Sequence, residues 1–274
     1  MITGADLLAL CRHHLDPDSR PIAEHPGHQH TVVLRAATRH GEVIVKAHRH
    51  PQRHLNEVHA YQQWTPVIAD RTPRLLTKID DPPAIIVTAL PGNPLAATPL
   101  PPDRQQAAYL QAGALLAAWH TAEPADSTVD ITTWLAERGD AWLQLAEDIL
   151  SANDRRTIRA HLRELAQLGP VPAAPCHLDF TPRNLLYHDG IVKVLDFEHS
   201  RIDLPARDLV RLAHRYWCHR PDLEAAFLTG YGPLTGLDHE IIEHCTHFDH
   251  LTAAVRATGR SLPPADPARS RSRS

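Results

Sequence analysis

The sequence predicts an α+β chain in two parts: a β-rich stretch over about residues 1–90 and a helical remainder over 91–260. Three observations predict it. Two runs of branched apolar residues flank a turn at Gly41, which is a hairpin signal. Beyond residue 98 long Ala/Leu-rich stretches follow one another at helical periodicity. Between them, LPGNPL at 90–95 breaks both patterns and reads as a link.

In chain order, residues 6–15 read as a short helix. HTVVLRAAT and VIVKA read as strands joined through RHGE. Residues 51–64, PQRHLNEVHAYQQW, read as a helix. Pro51 suits its first turn, and Leu55, Val58, Tyr61 and Trp64 are spaced for one face. PRLLTKI and AIIVTAL add two more strands. Helices are then expected over 103–121, 132–150 and 153–168. A hairpin follows over NLLYHDGIVKVLDF, then helices over ARDLVRLAHRYWC, 222–231 and 238–258. The tail 261–274, SLPPADPARSRSRS, has no apolar content to bury and is expected to be disordered.

The bulk properties exclude several classes. The chain has 274 residues with 43% hydrophobic content, enough for a sizeable core in one large domain or two lobes. Formal net charge is −4 and the sequence pI is near 6.6, so neither nucleic acid nor a membrane surface is an expected partner. No signal peptide or membrane span is recognisable. Cys11, Cys176, Cys218 and Cys245 are scattered, which fits reduced thiols and a cytoplasmic location rather than a disulfide framework or zinc site.

Two biases bear on function. Histidine is abundant at 21 residues. His48, His50 and His54 cluster in AHRHPQRH and are expected to be solvated surface groups. Lysine is rare: 25 of the 28 basic residues are arginine, and only Lys46, Lys78 and Lys193 are lysine.

CHLDFTPRNLLY, from Cys176 to Tyr187, sets Asp179 and Asn184 between apolar runs, and VLDFEHS adds Asp196. These groups either cap turns or handle a metal and a phosphate. Asp and Asn oxygens are hard ligands suited to Mg²⁺. Asn184 and Asp196 lie at the two ends of the expected hairpin, so they can come close, whereas Asp179 is free to face a substrate hydroxyl. That division of labour suits phosphoryl transfer. Phosphate also needs positive charge. Lys46 ends the strand EVIVK as a point charge, and Glu57, eleven residues on, is the carboxylate that would fix it.

HLDFTPRN followed by LDFE resembles the HxDxxxxN and DxD/E motifs of the aminoglycoside phosphotransferase and choline kinase group, within the protein-kinase-like fold. Strand lysine, helix glutamate, catalytic loop and metal-binding aspartate come in the kinase order over roughly residues 20–260. The resemblance implies a small antiparallel β-sheet lobe and a larger helical lobe. It implies Asp179 as catalytic base, Asn184 and Asp196 as Mg²⁺ ligands, and Lys46, held by Glu57, on the α/β-phosphates of ATP or GTP. The backbone around Thr88 and Leu90 would be the adenine-binding hinge. His177 would be structural, and Asp208 either braces the catalytic loop or caps a helix. Glu198 either assists the metal or, as the preferred reading, is solvated, and Arg183 is expected to be a surface arginine. The phosphate-covering loop, HPGHQHT, departs from the kinase pattern in having one glycine, Gly27.

The resemblance leaves the small-molecule acceptor open, as it does oligomeric state. Residues 98–265 hold 22 acids and 15 bases, which would attract a cationic acceptor. An Ala/Arg/Pro-rich, Lys-poor composition fits a GC-rich genome such as that of an antibiotic-producing actinobacterium. The expected activity is therefore phosphorylation of a hydroxyl on a cationic antibiotic: an aminoglycoside, a basic cyclic peptide or a nucleoside antibiotic. The alternatives are a metabolic kinase for choline, homoserine or a sugar, and a nucleotide-binding pseudokinase. The intact Lys46, Asp179, Asn184 and Asp196 speak against the last.

Overall fold

A computed structural model describes residues 2–26, 32–123 and 130–264. Gly27 and most of HPGHQHT lie outside the described residues, as does most of the expected tail, 265–274. The chain forms two compact units. One comprises Met1–Thr98 and Pro182–Ser200; the other comprises Pro99–Thr181 and Arg201–Ser274.

The first unit opens with α1 (Gly4–His14), which starts at a capping box between Thr3 and Asp6. Strands β1 (Arg20–Pro26), β2 (Val32–Thr38) and β3 (Gly41–Ala47) follow, then α2 (Pro51–His59), β4 (Leu75–Ile79) and β5 (Ala84–Thr88). The five strands form one antiparallel sheet in the order β1-β2-β3-β5-β4. Leu7 and Cys11 of α1 pack on Leu34, Val43, Val45 and Ile86 of the sheet. The expected helix over 51–64 holds α-geometry only as far as His59, continues as a π-turn over Ala60–Trp64, and tightens to 3₁₀ over Thr65–Arg71.

The link expected at 90–95 contains a two-residue strand, β6 (Asn93–Pro94). It pairs with β8 (Leu185–His188), which pairs in turn with β9 (Ile191–Val194). That pairing groups the expected hairpin with the first unit. The hairpin turn, Asp189–Gly190, has both residues at positive φ, 48° and 81°, the geometry that a two-residue connection requires.

The second unit contains α3 (Pro102–His120), α4 (Ile131–Leu145), α5 (Ala152–Gln167), α6 (Pro221–Tyr231) and α7 (Gly236–Ala257). A short antiparallel ribbon pairs β7 (Ala174–Cys176) with β10 (Arg201–Asp203). One core joins α4, α5 and α7 through Leu135, Trp142, Leu162, Leu165, Leu251 and Val255. The other helical pair, α3 and α6, approaches closely because it meets at two glycines. A Cβ on Gly113 would stand 2.1 Å from the Phe227 carbonyl oxygen, and one on Gly230 the same distance from that of Leu110. The helix expected over ARDLVRLAHRYWC is instead irregular, with a 3₁₀ turn at Pro205–Asp208 and a π-helical stretch at Leu212–Trp217. Among the described residues, no helix is long and apolar enough to cross a membrane.

Candidate active site

Strand alternation builds the first half of the site. On β3, Val43, Val45 and Ala47 are buried with the α1 side of the sheet, so Ile44 and Lys46 point to the opposite face. The register sets Lys46 opposite Ile85 of β5 and Val33 of β2. Val33, Ile44, Ile85 and Val87 give one wall of a cavity of about 630 Å³, and Lys46, Asp196 and Glu198 give it a charged end. An apolar slot with a few convergent charges is the usual form of a small-molecule site.

The Lys46 ammonium is held by three carboxylates. Its Nζ lies 2.5 Å from Asp196 Oδ1, 2.9 Å from Glu198 Oε2 and 3.1 Å from Glu57 Oε2. Arg53 donates to the other Glu198 oxygen at 2.5 Å. His48 Nε2 stands 2.5 Å from Glu57 Oε2, where an ionised carboxylate can only accept. Burial works against charge on Lys46, but Asp196, Glu57 and Glu198 together outweigh it and raise its pKa well above the usual lysine range. Burial likewise opposes ionisation of Asp196 and Glu198, and Lys46 reverses it, so both pKa values are lowered. Three carboxylates thus contact Lys46 and Arg53 in one cluster, while Arg35, Arg49 and Arg183 also line the cavity.

The β8–β9 hairpin brings the expected metal ligands to one end. The Leu195 amide donates to the Asn184 carbonyl oxygen at 3.1 Å, and Leu185 pairs with Val194. Asp196, the next residue, has φ of +69°, a left-handed conformation that costs an ordinary side chain energy and persists where its surroundings impose it. The Asp196 side chain remains 33% exposed, enough for its carboxylate to meet a ligand. Asn184, Asp196 and Glu198 offer hard oxygen donors, a set that fits Mg²⁺.

At the expected hinge, the Thr88 amide donates to the Arg74 carbonyl and the Ala89 amide to that of Glu42. Thr88 Oγ1 accepts from the Arg74 amide at 2.9 Å. Both Thr88 and Leu90 line the cavity, but the amides of Thr88 and Ala89 are engaged within the protein.

The loop carrying Asp179 belongs to the second unit. Asp208, 3% exposed, takes the amides of His177 and Leu178 on its two carboxylate oxygens at 2.8 and 2.5 Å. His120 Nε2 lies 3.1 Å from the same carboxylate, and its Nδ1 lies 3.0 Å from the Tyr231 hydroxyl. Two adjacent amides converging on one carboxylate fix the loop, in which Leu178 has φ of +59°. His177 is fully buried beside Trp119 and Phe180. The Asp179 carboxylate pairs with Arg211 Nη1, and Arg211 Nε donates to Asp249 Oδ1 at 2.9 Å. Asp249 also pairs with Arg215, so a chain of alternating charge runs from α7 to Asp179.

Several sequence expectations change here. His48 and His54 are buried, not solvated: His48 pairs with Glu57, and His54 Nε2 lies 3.2 Å from the Ala84 carbonyl. His54 faces the sheet from α2 and His48 lies between β3 and α2, and a His-rich composition hid that. Glu198 is not solvated either; it bridges Lys46 and Arg53. Asp208 binds the loop amides, and the capping alternative falls away. Arg183 is exposed as expected, yet its position is at the cavity wall. Sequence reasoning missed Arg53, Arg211 and Asp249. In an arginine-rich chain none carries a local signal, although DFE could have pointed to a partner for Glu198.

Among solved structures, an aminoglycoside-3′-phosphotransferase of type VIII matches with a TM-score of 0.64 at 20% identity, over 90% of this chain and 98% of that one. A macrolide 2′-phosphotransferase from Brachybacterium faecium matches with a TM-score of 0.60 at 18% identity, over 93% of each chain. A choline kinase from Streptococcus pneumoniae matches with a TM-score of 0.63 at 16% identity, over 89% of this chain and 87% of that one. At these identities the likeness is one of fold. No curated protein sequence matches. A sequence profile described as the phosphotransferase enzyme family matches residues 22–241. With most of its length inside that profile, the chain belongs to the phosphotransferase enzyme family, on the kinase-like fold that these small-molecule kinases share.

Proposed function

We propose that the protein transfers the γ-phosphoryl group of ATP or GTP to a hydroxyl of a small cationic acceptor, an antibiotic of aminoglycoside, basic cyclic peptide or nucleoside type. The observation that carries this reading is the Lys46 ammonium gathered with Glu57, Asp196 and Glu198 at the charged end of an apolar cavity. The apolar wall suits a base, and the charged end suits phosphates and their counter-ion. The solved spectinomycin phosphotransferase with ADP and spectinomycin, which shares the fold at a TM-score of 0.64 and 14% identity, supports a nucleotide donor.

Asn184 and Asp196 would hold Mg²⁺, with Glu198 beside them. Bound there, the ion would neutralise charge on the phosphates. Lys46 contributes a point charge to phosphate oxygens, and Glu57, with 2% of its side chain exposed, keeps the ammonium aimed. Asp179 orients the acceptor hydroxyl and receives its proton as the new oxygen–phosphorus bond forms and the bond to the nucleoside diphosphate breaks. Arg211 sets the orientation of the Asp179 carboxylate, and Asp208 sets the loop. The excess of acids over bases in residues 98–265 favours a cationic acceptor.

The test is a mass-spectrometric screen. Protein, Mg²⁺ and ATP or GTP are incubated with hydroxylated antibiotics and with choline, homoserine and sugars. One antibiotic gaining a single phosphoryl group is the expected result. Phosphorylation of a metabolite alone would move the protein to metabolism, and nucleotide binding without any turnover would overturn the assignment of Asp179.

A further inference from the structure

A second cluster of ligand-type side chains lies between α5 and α7, in the helical unit and apart from the residues of the phosphoryl-transfer site. His161 and Glu164 are one turn apart on α5, and His244 and His247 are one turn apart on α7. His161 Nδ1 and His244 Nδ1 are 3.0 Å apart. Glu164 Oε2 lies 3.8 Å from the first and 3.7 Å from the second. Glu164 is therefore beyond hydrogen-bond distance of both rings, yet the three atoms lie close enough together to share one ion. The centre of the triangle with these sides lies ~2.1 Å from each corner, the length of zinc bonds to imidazole nitrogen and carboxylate oxygen.

The environment matches the geometry. The His161 and His244 side chains are 18% and 12% exposed, so little water competes for their nitrogens. The Glu164 side chain is 56% exposed, which leaves an approach for an ion and room for a water as fourth ligand. His247 stacks on His161 with centroids 3.7 Å apart and planes 11° from parallel, fixing the plane of that ring.

We propose that His161, Glu164 and His244 form a binding site for a divalent transition ion of the zinc class, which clamps α5 to α7. Two imidazoles and one carboxylate select such an ion over Mg²⁺, which prefers all-oxygen surroundings. The clamp acts on α7, the helix that also carries Asp249.

The test uses the full chain, stripped by chelator and held in excess Mg²⁺ to occupy oxygen-rich sites. Co²⁺ is titrated while visible absorption is followed, and Tm is measured with and without Zn²⁺. The expected result is one equivalent of Co²⁺ with a low-symmetry visible spectrum, and a rise of several degrees in Tm with Zn²⁺. His161→Gln and His244→Gln should each lose the spectrum and the Tm shift. Glu164→Gln, a half-exposed change that spares the fold, should weaken the ion by more than about tenfold. His188→Gln, at an exposed histidine of the other unit, controls for adventitious binding and should leave all signals intact. Absence of a Tm shift in the wild type, or Co²⁺ binding unchanged in both histidine variants, overturns the site and leaves an imidazole pair joined by a hydrogen bond.

Discussion

Asp208→Ala probes the loop brace where the structure gives most to reckon with. The wild-type carboxylate accepts from the amides of His177 and Leu178 and faces His120 Nε2, all where water is largely excluded. Hydrogen bonds to a charged group contribute roughly 1.5–3 kcal/mol each, so three give about 4.5–9 kcal/mol gross. Burying the carboxylate offsets several kcal/mol of that. Removing it leaves two amides and an imidazole without an acceptor, so the expected loss is about 3–5 kcal/mol. Asp208→Asn keeps one acceptor oxygen and turns an amide group toward the other donor, so it should cost roughly half as much. Urea denaturation with linear extrapolation measures both. In Asp208→Asn, which should still fold, kcat should fall with little change in KM for nucleotide, because the loop rather than the nucleotide cavity is disturbed. An unfolding free energy for Asp208→Ala within about 0.5 kcal/mol of wild type would refute the reasoning, since that is the spread of inconsequential surface changes.

Four further outcomes are expected. Asp179→Asn should retain nucleotide binding and lose roughly 10²–10⁴-fold in kcat, and a near-normal kcat would remove Asp179 from the reaction. Asp196→Ala should weaken Mg²⁺-dependent nucleotide binding by calorimetry; an unchanged titration would exclude a metal-holding role. Lys46 lowers the pKa values of Asp196 and Glu198, so their contribution to stability is fully present above the ordinary carboxylate range near pH ~4 and is lost as pH falls through the lowered values. Lys46→Met should accordingly move the midpoint of acid unfolding to higher pH, and an unmoved midpoint would mean that the cluster does not couple to folding. Gly113→Ala should destabilise by more than about 1 kcal/mol in thermal melts, because the added methyl would stand 2.1 Å from the Phe227 carbonyl oxygen and 2.9 Å from the Tyr231 amide nitrogen.

Where periodicity ran long, the fold was readable before any coordinates. Strands β2 to β5, helices α3 to α7 and the β8–β9 hairpin occupy the stretches that pattern alone assigns, whereas pattern does not single out β1, Arg20–Pro26, as a strand. The pair of Lys46 and Glu57 was readable as well, because a lysine is a rare choice in an arginine-rich chain and so is informative. Short and irregular elements were not. β6, β7 and β10 hold two or three residues each, too few for an alternation to register. Residues 206–218 have a helical apolar pattern, yet Asp208 is bound to the loop amides and the backbone there adopts 3₁₀ and π turns. Arg211 and Asp249 meet across 38 positions of sequence, a separation at which neither spacing nor composition distinguishes one arginine from the others.

The first unit is built from two pieces of chain, and that fixes an order of events during synthesis. Lys46 emerges from the ribosome 150 residues before Asp196. At ~5–20 residues per second that is a wait of about 8–30 s. Once residue 88 has been made the strands of the first sheet can pair and close over α1, while the charged end of the cavity has Glu57 but neither Asp196 nor Glu198. The nascent chain is therefore unable to assemble the full charged cluster around Lys46 until the whole stretch from 99 to 181 has been made. A product of premature termination within that stretch carries the lysine without the acids that complete its surroundings.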